Sequence, residues 1–215
     1  MTRRQGALLV LSGPSGAGKG TICKELLRKA STTLHYSVSV TTRPMRVGEE
    51  NGVNYWFVSQ EEFLTMREQQ NLLEWAEVYG NYYGTPRQFV EEKLQAGQDV
   101  ILEIDIQGAM KVKESFPQGV FIYILPPSLT ELEHRIVGRG TDSEAVIERR
   151  MKCVKEELTF AHEYDYVIVN DVVAKAVSQV EAIMQAEHCR IIRNEALLEH
   201  ICLFGSIDED EELPG

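Results

Sequence analysis

The stretch Leu8-Leu9-Val10-Leu11-Ser12-Gly13-Pro14-Ser15-Gly16-Ala17-Gly18-Lys19-Gly20-Thr21-Ile22 decides the fold. The apolar run at 7–11 reads as a strand buried on both faces, because nothing in it alternates with polar residues. Beyond Lys19, the residues Ile22, Leu26 and Leu27 recur on one helical face. Between strand and helix, 13–19 spell G-x-x-x-x-G-K, a phosphate-binding loop. Its glycines let successive backbone N–H groups turn inward on phosphate oxygens. The helix N-terminus adds the positive end of its dipole, and Lys19 reaches the β- and γ-phosphates. Gly13, Pro14, Ser15, Gly16, Ala17, Gly18, Lys19, Gly20 and Thr21 are therefore the candidate nucleoside-triphosphate site. One residue departs from the motif. Its last position ordinarily carries a Ser or Thr hydroxyl for Mg²⁺, but Gly20 stands there and Thr21 follows, about 100° further round the helix. Mg²⁺ commonly keeps several waters and phosphates as ligands, so the loss is survivable. Thr21 is a candidate metal contact.

Working outward, similar apolar runs recur at 100–106, 120–125 and 166–169, with helical patterns between them. Alternating strands and helices predict an α/β fold with a parallel sheet. Residues 36–85 read differently. Short β-like pieces around Val38 and Val40, at 55–58 and at 75–79 are joined by Gly- and Asn-bearing turns. A single helix interrupts them, opened by Ser59-Gln60-Glu61-Glu62, whose end residues form a capping box. This predicts a small inserted lobe, mainly antiparallel. A second insertion spans 128–155: Ser128 caps one helix, Gly138-Arg139-Gly140 breaks it, and Thr141 caps the next. It carries Arg135, Arg139, Arg149 and Arg150. The expected division is a phosphate-loop core (1–36, 95–127, 156–205), the lobe (37–94), a helical lid (128–155) and an acidic tail (206–215) that frays.

Composition bounds the function. The 215 residues are 43% apolar and 26% charged, a globular balance. Of the net charge of −11, residues 208–212 supply −5 and leave −6 for the rest, which argues against a nucleic-acid binder with its basic stripe. The longest apolar run, 120–125, is six residues where a membrane span needs about 20. The five apolar residues behind Arg3-Arg4 are too few for a signal-peptide core. Cys23, Cys153, Cys189 and Cys202 lie far apart with no C-x-x-C pair, so reduced thiols and a cytoplasmic location are expected. The five histidines form no spaced metal set.

A phosphate loop alone does not separate a switch, a motor and a kinase. No N-K-x-D stands for reading guanine in a small GTPase. A kinase acting on a phosphorylated acceptor needs a second anion site and a cationic cover, and Thr41-Thr42-Arg43-Pro44-Met45-Arg46 and the arginines of 128–155 offer both. The fuller stretches Ser39 to Glu49, Asn51-Gly52 with Tyr55, and Glu74 to Thr85 resemble the guanylate kinase family. Ile104-Asp105-Ile106-Gln107-Gly108, Gly138-Arg139-Gly140 and Val167 to Asp171 continue that match, which covers roughly 7–190.

The resemblance implies phosphoryl transfer from Mg²⁺·ATP to GMP or dGMP, within a core, GMP-binding and lid architecture. By it, Arg43, Arg46, Tyr55 and Tyr83 hold the GMP phosphate, and guanidinium forks with phenol hydroxyls suit that task. Glu74 reads guanine, since an acceptor-only carboxylate matches the N1–H and 2-amino donors and meets an acceptor at adenine N1. Ser39 and Thr85 add base contacts, although Thr85-Pro86-Arg87 also reads as a helix start with Pro86 at its first position. Glu103 and Asp105 are placed two apart at the end of a buried strand, facing the same side. The family usually has Asp at the first of these. Which of the two approaches Mg²⁺ and which meets the base stays open; Asp105 is the second candidate metal contact. Arg135, Arg139 and Arg150 resemble phosphate-clamping lid arginines, and Asn170 an adenine-side contact. With Lys19 and Arg43, the three lid arginines form the expected catalytic set. The alternatives are a catalytically inactive phosphopeptide-binding module of this fold, and a related kinase for another phosphorylated small molecule. Lys19 with its intact glycines argues against the first, Glu74 with its tyrosines against the second.

Overall fold

A computed structural model describes residues 4–29, 33–78, 80–137, 151, 154 and 156–204. Strand β1 (Leu8–Ser12) is buried throughout and lies at the centre of a five-stranded sheet. The order is β2 (Leu34–Tyr36), β7 (Asp99–Glu103), β1, β8 (Val120–Leu125) and β9 (Tyr166–Val169), every neighbouring pair parallel. The continuous apolar runs reflect cover on both faces. Leu9 and Leu11 point to α1 (Lys19–Lys29) and the long helix Val173–His188, packing with Ile22, Leu26, Ala176, Val177 and Val180. Leu8 and Val10 point the other way, to α3 (Arg87–Gln95) and α4 (Ile106–Ser115), against Val90, Leu94, Ala109 and Val112. Each fully buried aliphatic side chain stabilises by about 1.5–3 kcal/mol, so this two-sided core holds the loop after β1 in a fixed place.

The four-stranded sheet runs β4 (Trp56–Phe57), β3 (Val40–Thr41), β6 (Asn81–Pro86), β5 (Leu72–Val78). Two of its three pairings are antiparallel, as expected of the inserted lobe; β3 and β4 run parallel. The lobe's core is Val40, Phe63 and Leu72, with Phe63 stacked on Tyr82 at 5.3 Å. The predicted capping box opens α2 (Gln60–Glu68): the Glu62 N–H donates to Ser59 Oγ (3.1 Å) and the Ser59 N–H to Glu62 Oε2 (2.7 Å). Ser128 likewise caps α5 (Leu129–Val137), its Oγ accepting from the Glu131 N–H at 3.0 Å.

Two local expectations are corrected. The run at 100–106 is strand only to Glu103; Ile106 is the first residue of α4. Asp105 caps that helix, its Oδ1 accepting the Gly108 N–H at 2.7 Å, and an aspartate cap overrides the β-rich pattern around it. Asp105 therefore lies beyond the strand, not two places along it. Second, Pro86 is the N-cap of α3 rather than its first residue, and Thr85 caps nothing. Arg139, Arg149, Arg150, the Gly138–Gly140 break, the cap at Thr141 and the acidic tail lie outside the described residues.

Candidate active site

The site forms where β1, β7 and β8 end together. Leu11 pairs with Glu103 and Ser12 with Tyr123, so the loop leaving β1 and the carboxylate ending β7 emerge side by side. Gly13 has φ +133° and Gly18 φ +93°. A Cβ at Gly13 would lie 2.3 Å from the Ile124 carbonyl oxygen, and one at Gly18 2.3 Å from Asn170 Nδ2. Only glycine fits either place. Asn170, buried at the end of β9, donates from Nδ2 to the Ala17 carbonyl at 2.8 Å, and its Oδ1 is buried without a partner among the described residues. Arg135 reaches the same corner, donating from Nη2 to the Asn170 carbonyl (3.2 Å) and from Nε to Glu131 (2.9 Å).

Lys19 folds over its own loop, donating to the carbonyls of Gly13 (2.6 Å) and Pro14 (3.1 Å). Burial pulls its pKa down; Glu103, Glu157 and Asp105 nearby oppose that by favouring the ammonium. The Gly20 Cα faces Glu103: a Cβ built there lies 3.2 Å from both carboxylate oxygens. Thr21, one residue on, is exposed.

The lobe carries a second cationic place. Arg43 is held by Glu49 in a two-pronged pair, Nη1 to Oε2 at 3.0 Å and Nη2 to Oε1 at 2.8 Å. Its guanidinium lies 5.4 Å from the Tyr55 ring centre and 5.6 Å from that of Phe57. Tyr83 stands edge-on to Tyr55 at 5.9 Å. Glu49 also accepts the Arg46 N–H at 2.7 Å, while the Arg46 side chain is exposed. Arg43 and Glu49 thus hold each other ionised, which raises the arginine's pKa and lowers the carboxyl's.

At the lobe's other end, strand β5 lies against α4 and carries Glu74, 7% exposed. Thr85, opposite it on β6, donates from its hydroxyl to Glu74 Oε1 at 2.8 Å. Burial pushes the Glu74 carboxyl up to about 7, with Asp105 adding to the rise and the Thr85 hydroxyl and Lys111 working against it. A Cβ on Gly108 would sit 3.2 Å from Glu74 Oε2 and 3.3 Å from Asp105 Oδ1, so the two carboxylates flank one point at the start of α4. Ser39, half-buried, accepts the Trp56 N–H on its carbonyl at 2.8 Å.

The described candidates therefore fall into two groups: Lys19, Glu103, Asn170 and Arg135 around the loop, and Arg43, Tyr55, Tyr83, Glu74 and Thr85 in the lobe. Tyr36, at the end of β2, joins them. Its pKa is raised by burial, then by the nearby Glu103, with smaller contributions from Cys23 and Tyr55. Tyr36, Glu49 and Glu157 were not legible as site residues. Glu49 offered only a charge six places beyond Arg43, and Glu157 only a place in a charged helical run.

A family model described as Guanylate kinase matches residues 5–187. The chain belongs to the guanylate kinase family. It is 57% identical over 190 residues to guanylate kinase of Halalkalibacterium halodurans, covering 88% of this chain and 93% of that one. It is 58% identical over 193 residues to guanylate kinase of Desulfitobacterium hafniense strain Y51, covering 90% and 96%. The crystal structure of guanylate kinase from Anaplasma phagocytophilum superposes with a TM-score of 0.78 at 35% identity, covering 96% of this chain and 98% of that one. A guanylate kinase is a nucleoside-monophosphate kinase, which fits a fold with one phosphate loop and a second cationic lobe. Among the described residues no helix is long and apolar enough to cross a membrane. Cys23, Cys189 and Cys202 are free thiols.

Proposed function

We propose that the chain transfers the γ-phosphoryl group of ATP to GMP or dGMP by direct in-line attack, as a cytoplasmic step of purine nucleotide metabolism. The observation that carries the acceptor's identity is the buried Glu74 carboxylate, held by the Thr85 hydroxyl in the lobe that also presents Arg43, Tyr55 and Tyr83. Arg43, Arg46, Tyr55 and Tyr83 grip the acceptor phosphate. Glu74, with Ser39, Thr85 and Asp105 beside it, takes the base. The backbone of 13–20 and Lys19 hold the donor phosphates, Asn170 stands on the adenine side, and Arg135, Arg139 and Arg150 close over the migrating group. The acceptor's own phosphate oxygen is the nucleophile, so positioned cations carry the catalysis. Mg²⁺ fits the chemistry of the donor side, where the carboxylates of Glu103 and Asp105 lie close enough to Lys19 to favour its charge. When bound, it would neutralise donor phosphate charge, with Glu103, Asp105 and Thr21 as candidate contacts; among the described residues no three His, Cys, Asp or Glu side chains gather as a metal cage. Product formation measured across GMP, dGMP, AMP, UMP and CMP tests the reading: the guanine nucleotides should exceed the others by at least about a hundredfold. AMP turning over as fast as GMP would overturn it.

Because guanine needs Glu74 as the carboxylate, kcat/KM for GMP should fall as pH drops through about 7, close to tenfold per pH unit below it, and level off above. The acceptor's phosphate titrates nearby, so the control is Glu74→Gln, in which the inflection belonging to the carboxyl disappears. A wild-type profile identical in shape to that of the variant would sink the assignment.

Asn170→Ala removes the brace between β9 and the loop. A buried hydrogen bond lost with an orphaned partner costs about 1–3 kcal/mol, so the ATP KM should rise roughly tenfold while the GMP KM stays within about twofold. Equal rises for both nucleotides would show that Asn170 supports the whole core rather than the donor loop.

A further inference from the structure

Two positions far apart in the chain meet in space. Position 20 lacks the hydroxyl that ends most phosphate loops, and position 103, the last residue of β7, carries a glutamate. In the fold, β7 runs parallel to β1 with Glu103 opposite Leu11, which delivers the Glu103 side chain to the first turn of α1. There its carboxylate occupies the space next to the Gly20 Cα. Any Cβ at position 20 would stand 3.2 Å from both of its oxygens, closer than side chains ordinarily pack. Tyr36 from β2 and Lys19 from α1 are near enough to this carboxylate to interact with it electrostatically, so it stands among groups of this same corner. A glutamate on β7 and a bare Cα on α1 are thus complementary in volume: the carboxylate lies against the space that a hydroxymethyl group at position 20 would fill.

We propose that Gly20 and Glu103 are a matched pair, in which the Glu103 carboxylate takes the cation-facing place that a Ser or Thr hydroxyl holds in other phosphate loops. The pair rests on the donor-site reading above. An anionic oxygen is a stronger ligand for a hard divalent cation than a neutral hydroxyl, whether it binds directly or through a water. Thr21 does not fill the role, because it lies a third of a turn away and is exposed. Asp105, whose Oδ1 caps α4, keeps only its other oxygen for a cation and is a secondary contact. A serine at position 20 pushes the Glu103 carboxylate away or ties it up as its own acceptor, so in either case the cation loses a ligand. Shortening Glu103 to Asp withdraws the carboxylate from the same place. Making both changes exchanges one complete arrangement for another.

The test is a set of double-mutant cycles on the full chain, read by Mn²⁺ binding to the enzyme·ADP complex, followed by electron spin resonance of free Mn²⁺, beside metal-free thermal unfolding. Gly20→Ser and Glu103→Asp should each weaken Mn²⁺ binding about tenfold or more, and the double variant should return to within about threefold of the parent. Gly20→Ala supplies the steric bulk without the hydroxyl. In the Gly20→Ala/Glu103→Asp protein, unfolding should recover while Mn²⁺ binding stays weak. If that double variant binds Mn²⁺ as well as its serine counterpart, the pair is packing only and the cation role is wrong. If the losses from Gly20→Ser and Glu103→Asp simply add, the pairing itself is overturned. A parent that forms no ternary complex at all would overturn the donor-site reading as well, a failure distinct from additive losses in a parent that binds.

Discussion

Lys19→Ala should lower turnover by about two to three orders of magnitude and leave the protein folded. The two halves of that expectation have separate grounds. In folding, the ammonium contributes charge-assisted hydrogen bonds to the carbonyls of Gly13 and Pro14, each worth about 1.5–3 kcal/mol before the cost of desolvating the charge. Against them stands the cost of drying a charge, seen in the fall of its pKa with burial. The two nearly offset, so the melting temperature should move by only a few degrees. In catalysis nothing offsets the loss. In the proposed reaction the lysine reaches donor oxygens on which charge grows during transfer, from a partly buried place where one positioned cation is worth more than in open water. Alanine leaves no side chain that can reach them, and a water in the vacated space brings no charge. Turnover should therefore collapse more than the ATP KM rises. Turnover within tenfold of the parent in the folded variant would reject the donor-loop assignment.

Most of the frame was legible because its signals are local. Four of the five strands of the main sheet stand as short apolar runs, and the loop needs only its glycines, lysine and flanking elements. Both capping serines described were readable from a three-residue spacing. Failures came where one local signal concealed another. The β-rich run at 100–106 hid the aspartate cap at 105, and a proline that normally sits one place inside a helix serves here as the cap itself. Strand β2 is three residues long, too short to register against the lobe pattern that follows it. In the site, residue types could be chosen from sequence but their pairing could not. Nothing local says that Arg43 is clamped by Glu49, that Tyr36 comes near Glu103, or that Thr85 spends its hydroxyl on Glu74 instead of a helix end. Those contacts are made by strand register and the docking of β5 on α4, which only the folded chain brings about.

That docking makes Glu74→Gln the sharpest test of substrate identity. The carboxylate is buried, with one oxygen taken by the Thr85 hydroxyl and the other beside Gly108 at the head of α4. Gln keeps the shape and one carbonyl, which can still accept from Thr85, so the lobe should fold as before. What changes is the face that, on the proposed reading, meets the base. The amide nitrogen is a donor, and guanine presents two donors, N1–H and the 2-amino group. One of them then meets a like group inside a dry pocket. Such a mismatch costs roughly 1–3 kcal/mol, more where a charge is lost, so kcat/KM for GMP should fall about tenfold to a few hundredfold. The size of the loss should itself depend on pH. With its pKa pushed up to about 7, wild-type Glu74 is largely protonated at pH 6, where the variant should compare best, and ionised at pH 8.5, where the gap should be widest. The AMP rate should change in the other sense or hardly at all, because removing the carboxylate relieves its clash with the adenine N1 acceptor. Measured on both acceptors at both pH values, equal losses for GMP and AMP would mean that Glu74 braces β5 against α4 rather than reading the base. The preference for guanine would then have to be sought in Ser39 and Asp105.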